Sequence, residues 1–491
     1  YSILTILALF QDKGFQNTLV AGRFARRVRR TQESFHLVCG CGETGSLVCQ
    51  TLDRLGRNVV ILEKDELRVQ ELDLADFKTD IPALAADARQ PANLLLAGLD
   101  HPRCRGVLAL TDDEEANLAI AIATRLVNPG VPVLACAGTP LLTANMASFG
   151  TDHIINPFER FAEYLALAVA APARYRLIEI LTGLPGSALP EPHRPPRGRW
   201  IICGYGRFGR AVVRHLAPTG IELTILDPEA PAADDLPVVR GLGTDGASLL
   251  AAGIRAADGI VAGSDSDVNN LSIAVTAREL NPHLFVVTRQ NQTANSVLFD
   301  AFRNDFCMVP SRIIAQECIA ILTTPLLTRF LDQVRQQDEA WCGALAARLE
   351  ELGAGRVPGA WGLRLNIAEA PAAHRLLMAG ARIALADLLR DNEDRDTRFA
   401  IQPLLLDRGG ELTALPGDET VLEAGDMLLC AGRPGTQRRL ELTLRNANVL
   451  DYVMTGRERA GGWLWQRILA APADRVTEGS TSPAPAARRR R

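Results

Sequence analysis

The chain has 491 residues, of which 47% are hydrophobic, and its formal net charge is −4 at pH 7. This length is enough for roughly three domains, and the near-neutral charge excludes nucleic acid as the main partner. The ten cysteines occur singly, without C-x-x-C pairs. We therefore expect reduced cysteines that serve as small hydrophobic side chains of a cytoplasmic protein, and no metal site built from them.

The first eleven residues carry no charge, but a membrane-spanning helix needs about 20 apolar residues. This run is either a buried helix or the end of a membrane helix that begins upstream. Several arginines follow between Arg23 and Arg30, as is typical of the cytoplasmic side of a membrane span. The alternative is a basic amphipathic helix on a soluble domain. We assign residues 1–33 to a membrane-proximal helix and linker.

One pattern occurs twice, at a constant offset. Each copy has a short apolar strand, a G-x-G-x-x-G turn, an amphipathic helix and a second apolar strand that ends in a carboxylate. The glycines are Gly40, Gly42, Gly45 and Gly204, Gly206, Gly209, and the carboxylates are Glu63 and Asp227. This succession is that of a mononucleotide-binding βαβ unit.

Each residue type has a chemical reason in this turn. The first glycine permits the tight turn, the second lets a pyrophosphate approach the backbone, and the third lets the helix pack against the strand. The helix N-terminus offers free N–H groups to phosphates, so the residues that begin the helix are candidate contacts: Glu43 and Thr44, and Arg207 and Phe208. Glu63 and Asp227 can accept hydrogen bonds from ribose hydroxyls, which favours NAD(H) or an adenine nucleotide over a 2′-phosphorylated cofactor.

Each copy continues with further helices and apolar strands, so we predict an α/β protein with two doubly wound, Rossmann-like parallel sheets. The acidic runs after the fourth strand of each copy match S/T-x-x-acid capping boxes, Thr111 with Glu114 and Ser264 with Asp267. A divalent cation is the alternative ligand of these acids. We favour capping, because metal ligation needs further oxygen atoms.

The predicted domains are bounded by changes in composition. The first nucleotide-fold domain covers 34–184, a Pro-rich linker 185–198, and the second domain 199–322. A helical crossover at 323–360 leads to a small β-rich lobe at 361–445, in which Gly409-Gly410 supplies a hairpin turn. Residues 446–491 are expected to form a C-terminal helix and a disordered basic tail.

The whole succession resembles the RCK domain, the regulator of K⁺ conductance that is also called KTN or Trk-type. The residues that carry the resemblance are the glycine turns, the strand-end acids, the Ala86-Asp87-Ala88 turn, the run from Thr111, and the later Asn156-Pro157. The resemblance adds Asp87, Thr111, Ser264 and Arg289 to the expected nucleotide contacts. The first copy has Cys136 where the second has Arg289, and the second has Leu242 where the first has Asp87, so we expect two non-equivalent sites.

The resemblance implies a gating module that senses NAD(H), ADP or ATP at the cytoplasmic face of a prokaryotic membrane. It also implies a ring of four chains with eight lobes, below a K⁺ pore that lies upstream in the same chain. A soluble peripheral subunit of a Trk-type K⁺ transporter is the alternative. An NAD-dependent oxidoreductase is a weaker alternative, because the seven histidines form no acid–base motif. We therefore expect no catalytic residues.

Overall fold

The computed structural model describes residues 13–74, 77–183, 185–189, 191–192, 194–231 and 236–457. The predictions of a half-length membrane span at 1–11 and of a disordered basic tail concern residues outside these ranges. The chain divides into two compact units, Tyr1–Gly362 and Leu363–Arg491.

The first described element is α1 (Lys13–Arg29), the helix predicted before the first domain. Its apolar side chains Phe24 and Val28 are buried in the core of that domain. Arg26 and Arg27 are exposed, and Arg27 pairs with Asp80. The helix is therefore fixed to the first domain by its apolar face, while its arginines remain at the surface.

The first domain is a parallel six-stranded sheet in the order β3-β2-β1-β4-β5-β6. Its strands are nearly continuous apolar runs, as expected for strands that helices cover on both faces. The strands are β1 (Phe35–Cys39), β2 (Asn58–Glu63), β3 (Ala83–Ala85), β4 (Cys104–Ala109), β5 (Val133–Cys136) and β6 (His153–Ile155). The helices are α2 (Glu43–Arg54), α3 (Glu66–Leu74), α4 (Pro91–Leu96), α5 (Glu114–Val127), α6 (Pro140–Ser148), α7 (Pro157–Ala170) and α8 (Pro172–Thr182).

The second domain repeats this parallel sheet, in the order β9-β8-β7-β10-β11-β12. Its strands are β7 (Arg199–Cys203), β8 (Glu222–Leu226), β9 (Val238–Val239), β10 (Gly259–Ala262), β11 (Phe285–Arg289) and β12 (Phe306–Met308). Its helices are α9 (Arg207–Leu216), α10 (Gly246–Ala251), α11 (Asp267–Leu280), α12 (Ser296–Phe302) and α13 (Pro310–Thr323). The two doubly wound sheets predicted from the sequence are confirmed.

The two domains exchange the helix that follows their sixth strand. Helix α7 leaves the first domain, and its Phe161 and Leu165 lie in the core of the second domain, with Val212 of α9. Helix α13 leaves the second domain, and its Ile314 packs with Val48 of α2 in the core of the first. Each glycine-turn helix is therefore covered by a helix from the other domain.

Helix α13 is followed by two further helices, α14 (Pro325–Val334) and α15 (Glu339–Gly353), which lie within the segment assigned to the helical crossover. Within the described part of the chain, no single helix has the length and apolar composition needed to cross a membrane. Helices α13 and α14 meet these criteria only as a pair, and they are bent by 110° at their junction.

The second unit contains most of the predicted β-rich lobe, a four-stranded sheet in the order β13-β16-β14-β15 whose first strand begins before Leu363. The strands are β13 (Gly359–Arg364), β14 (Ile401–Arg408), β15 (Glu411–Ala414) and β16 (Met427–Gly432), and β14 is antiparallel to β15 and β16. Gly409 and Gly410 make the predicted hairpin turn, with φ of 60° and 100°. The helices are α16 (Pro371–Met378), α17 (Leu385–Leu388), α18 (Thr436–Arg445) and α19 (Ala447–Thr455). Strand β13 begins inside the segment predicted as helical crossover, so that segment is not entirely helical.

Candidate functional site

The glycine turns have nearly identical backbones in the two domains. Gly40 and Gly204 have φ of 92° and 91°, in the left-handed region that favours glycine. A Cβ atom on Gly45 would lie 2.1 Å from the carbonyl oxygen of Gly40. A Cβ atom on Gly209 would likewise lie 2.0 Å from the oxygen of Gly204. The first and third glycines are therefore required by the tight turn and by the close approach of helix and strand.

The strand-end carboxylates hold the turns as well as facing them. Glu63 accepts hydrogen bonds from the amides of Cys41 (2.5 Å) and Asp65 (2.9 Å). Asp227 accepts the equivalent bonds from the amides of Tyr205 (2.7 Å) and Glu229 (2.8 Å). A carboxylate oxygen has two lone pairs, so both acids keep acceptor capacity for a ribose hydroxyl. Sequence reasoning assigned them only the second role.

In each domain an asparagine links the loop after the fourth strand to the end of the fifth strand. The sequence analysis did not identify either asparagine. Asn117 accepts from the Thr111 hydroxyl (2.7 Å) and donates to the carbonyl of Cys136 (3.2 Å). Asn270 makes the same bonds to the Ser264 hydroxyl (2.8 Å) and the Arg289 carbonyl (2.7 Å). Their recurrence at equivalent positions of both copies was the signal that could have identified them.

The capping prediction is right in kind but wrong in its residues. The N-cap of α5 is Asp113, which accepts from the amides of Glu115 and Ala116. The N-cap of α11 is Ser266, which accepts from the amide of Asn269. Thr111 and Ser264 lie two residues earlier, where their hydroxyls bond to the asparagines instead. Among the described residues, no group of three or more His, Cys, Asp or Glu side chains could hold a metal ion.

A cleft of about 380 Å³ lies at the first glycine turn. Seven of the eight residues predicted for the first copy line this cleft: Gly40, Gly42, Glu43, Thr44, Glu63, Asp87 and Thr111. The eighth, Gly45, lies behind them against the strand. Four further lining residues come from the second domain and were not predicted: Asn291, Pro310, Ser311 and Ile314. The cleft is therefore built by both domains.

The cleft also contains cations that the sequence analysis did not use. Lys64, Arg68 and Arg89 line it, and Nη1 of Arg68 is 3.1 Å from the position that a Cβ atom on Gly42 would occupy. Arg89 is paired with Asp87 (2.7 Å) and holds the pKa of that carboxyl below its usual range. Cys136, at the position that Arg289 occupies in the second domain, is buried, and burial raises the pKa of its thiol. Arg68 is thus the cation placed next to the second glycine.

The second glycine turn is covered by side chains of the chain itself. Arg207 donates a 2.6 Å hydrogen bond to Glu114 of the first domain. The guanidinium carbons of Arg207 and Arg289 lie 5.3 and 4.9 Å from the ring centre of Phe158. Arg289 also pairs with Asp265 at 2.6 Å, and burial lowers the pKa of its guanidinium. Both arginines of the second site are therefore already engaged.

Phe208, a predicted contact at the second turn, contributes its side chain to the core of the protein. Its side chain is fully buried and lies 5.6 Å from Phe161 and 6.2 Å from Phe158, between ring centres. Only its backbone amide, near the start of α9, remains a candidate contact. The residue type was a core signal, since aromatic side chains supply large buried areas.

The cysteines were predicted to be reduced and to serve as small hydrophobic side chains of the core. All ten are free, and nine of them are buried, the exception being Cys307. Cys41 lies between the first two glycines, and a hydrogen bond from the Cys49 thiol is the main cause that lowers the pKa of Cys41. Its side chain is buried in the apolar core beneath α2.

Three relatives share one segment each with this chain. Potassium channel protein 1 of Methanocaldococcus jannaschii is 24% identical over 147 residues, which are 28% of this chain and 44% of the channel. The Trk system potassium uptake protein TrkA homologue of Pyrococcus abyssi is 28% identical over 142 residues, 27% of this chain and 63% of the relative. The glutathione-regulated potassium-efflux system protein KefC of Escherichia coli O139:H28 is 30% identical over 154 residues, 29% of this chain and 25% of the relative. Each match spans less than two thirds of the relative.

The fold is similar to that of a solved channel. The GsuK channel bound to NAD superposes with a TM-score of 0.50 at 16% identity, over 93% of this chain and 87% of the other. The sequence model of the TrkA-N domain family matches residues 36–157 and 200–310, which are the two parallel-sheet domains described above. This chain therefore carries two TrkA-N (RCK) domains in tandem.

Proposed function

We propose that the chain is a nucleotide-sensing module that regulates K⁺ transport through a membrane protein. The observation that carries the proposal is the cleft at the first glycine turn. In it Gly42 lies next to Arg68, Glu63 can accept a hydrogen bond from a ribose hydroxyl, and residues of both domains form the lining. A nucleotide held there contacts both domains at once. Binding then favours one arrangement of the domains by its differential affinity, which is the free energy available for gating.

The ligand at the first turn is NAD(H) or an adenine nucleotide such as ADP or ATP. Gly42 and the start of α2 face the cleft for the phosphates, and Glu63 faces it for a ribose. When bound, the nucleotide supplies its phosphates as anionic contacts, and the chain's own residues position them. The GsuK channel, which has a similar fold, was solved bound to NAD, and this agrees with NAD(H) as the ligand.

The module performs no turnover of the nucleotide. A hydride-transfer enzyme needs an acid–base group at the nicotinamide, usually His, Lys or Tyr. None of the residues that line the described cleft is His or Tyr, and its one lysine, Lys64, follows the ribose-side acid Glu63. Binding without chemistry is what a sensor requires.

The names of the relatives support the proposed partners. The similarity to potassium channel protein 1 of Methanocaldococcus jannaschii supports a K⁺ pore as the partner. In our proposal the pore lies upstream in the same chain, and this module lies at the cytoplasmic face of a prokaryotic membrane. A homo-oligomeric ring of four chains with eight lobes would place the first clefts around it. The second candidate is a peripheral subunit of a Trk-type transporter, which the similarity to the TrkA homologue favours.

The test is K⁺ flux through liposomes that carry the natural full-length protein. Flux should change when NADH or ADP is added, and the change should disappear in Gly42→Asp. Mass spectrometry of nucleotide released from purified protein should find an adenine nucleotide. Oxidation of NADH by a small-molecule acceptor at about 1 s⁻¹ or faster, or unchanged flux on nucleotide addition, would overturn the proposal.

A further inference from the structure

The helix that enters the cleft from the second domain, α13, begins without a side-chain cap. Its N-cap position is Val309, and no side-chain hydrogen bond caps the helix. The equivalent helix of the first domain, α7, has Asn156 at this position, whose side chain accepts from the amides of Phe158 and Glu159. The first amides of a helix need an acceptor from outside it. In α7 that acceptor is built in, and in α13 it is not.

The side chain of Ser311, near the start of α13, also lacks a hydrogen-bond partner in the described part of the chain. Ser311 lines the cleft and is only 7% exposed, and its hydroxyl has no hydrogen-bond partner among the described residues. A buried hydroxyl without a partner costs free energy. The equivalent residue of α7 is Phe158, whose ring lies beneath two arginines at the second turn.

The other helix that begins at this cleft has the same property. Helix α2 starts after Gly42, and no side chain caps it either. Gly42 and Ser311 line one cleft, so two helices from different domains present their N-terminal ends to it. The positive end of each helix dipole and its free amides favour an anion.

We infer that the start of α13, with the Ser311 hydroxyl, is the second half of a diphosphate clamp. The phosphates of a nucleoside diphosphate or dinucleotide lie between the N-termini of α2 and α13. They accept hydrogen bonds from the glycine turn on one side and from Ser311 on the other. The inference rests on the proposed nucleotide site and names the contact through which the second domain detects the ligand. The second turn lacks such a clamp, because Asn156 and Phe158 replace Val309 and Ser311.

The test compares ADP with adenosine, which has the same base and ribose but no phosphate. In Ser311→Ala, calorimetry should show ADP affinity reduced about tenfold, since one hydrogen bond to a charged group is lost. Adenosine affinity should not change. The thermal midpoint of the ligand-free protein should stay the same or rise, because the substitution removes an unpaired hydroxyl. Gln316→Ala, at an exposed position of the same helix, is the matched control and should change neither quantity.

A second variant tests the clamp by adding a side-chain cap to α13 instead of removing a contact. Val309→Asn copies the cap of α7, and it should raise the ligand-free midpoint while weakening ADP, because the side chain competes for the same amides. If the wild type binds ADP and both variants bind it equally well, the clamp is wrong and the proposed function stands. An equal loss for ADP and adenosine in Ser311→Ala would also overturn the clamp. If the wild type binds neither compound, both the clamp and the proposed site fail.

Discussion

The backbone amide of Thr293 donates a 3.0 Å hydrogen bond to Oε1 of Glu43, a residue 250 positions away. Glu43 is the first residue of α2, and Thr293 begins a short 3₁₀ helix that directly follows a loop of the second domain. Asp267 holds this loop by accepting from the amides of Asn291 (2.6 Å) and Gln292 (3.1 Å). The first helical residue of the nucleotide turn is therefore connected directly to the other domain.

Glu43→Ala should separate ligand binding from its transmission. It removes the bond to Thr293 but none of the glycines, so ADP affinity should stay within about fivefold, since an exposed hydrogen bond contributes only about 1 kcal/mol. The nucleotide-dependent change in K⁺ flux should become smaller. Glu66→Ala, at an exposed acid that begins α3, is the control. A flux response equal to that of the wild type would show that this bond transmits nothing.

Gly42→Asp should abolish nucleotide binding at the first turn. The new carboxylate would lie where the pyrophosphate approaches, and its Cβ atom would be 3.1 Å from Nη1 of Arg68, so an internal ion pair would replace the ligand. Gly206→Asp is the matched variant, with no atom within 4 Å of the added Cβ. Calorimetry should show one ADP per chain in the wild type and in Gly206→Asp. If the wild type instead bound two ADP molecules per chain and Gly206→Asp bound only one, the second turn would also be a nucleotide site, as the sequence suggested.

The first site should discriminate against a 2′-phosphate. Glu63 is 6% exposed, and a phosphate on the adjacent ribose would place two negative groups together in a poorly solvated cleft. NADPH should bind at least tenfold more weakly than NADH in a calorimetric titration. Glu63→Gln should narrow this difference and lower the thermal midpoint, because the turn amides lose part of their acceptor. Tighter binding of NADPH than of NADH to the wild type would contradict the assignment.

Phe158→Ala should destabilise the protein by about 3 kcal/mol, the low end of the cost for a buried phenylalanine. The ring is 6% exposed and packs on Phe208 while covering Arg207 and Arg289. Phe149, which is 51% exposed, supplies the control: Phe149→Ala should change the stability by about 0.5 kcal/mol or less. Denaturant unfolding compares the two variants. Similar stabilities would mean that the ring covering the second turn is not part of the core.

Stability should fall in mild acid through His36. Burial, with a smaller contribution from Arg57, lowers the pKa of this histidine to about 4. An unfolded histidine titrates near 6.5. Below that pH the unfolded chain binds a proton that the folded chain excludes, so this contribution to stability is fully present above about pH 6.5 and is lost as the pH falls toward 4.

Between pH 7 and pH 5 the loss from His36 is roughly 2 kcal/mol. His36→Gln should therefore show a smaller drop of its thermal midpoint over this range than the wild type. The exposed His283 provides the control variant His283→Gln, which should keep the wild-type drop. Equal pH dependence of all three proteins would exclude His36 as the cause.

The sequence by itself determined the two parallel sheets, the glycine turns and the acids that face them. These features depend on local backbone geometry. The left-handed φ at Gly40 and the close contact at Gly45 both require glycine, so the glycine spacing and the flanking apolar strands can be recognised within about thirty residues. The same repetition could also have revealed Asn117 and Asn270. Their hydrogen bonds join a loop to the end of the next strand in each copy.

Only the tertiary structure decided which domain completes the first cleft. The sequences of α7 and α13 show an apolar face that must be buried, but burial is non-directional and does not specify the sheet that it packs against. The exchange of these helices brings Ser311 to the first turn and Phe158 to the second. The two glycine turns have nearly the same backbone. The residues that make them different, Ser311 and Phe158, lie about 270 and about 50 positions from their turns, on helices whose packing partners only the tertiary structure determines.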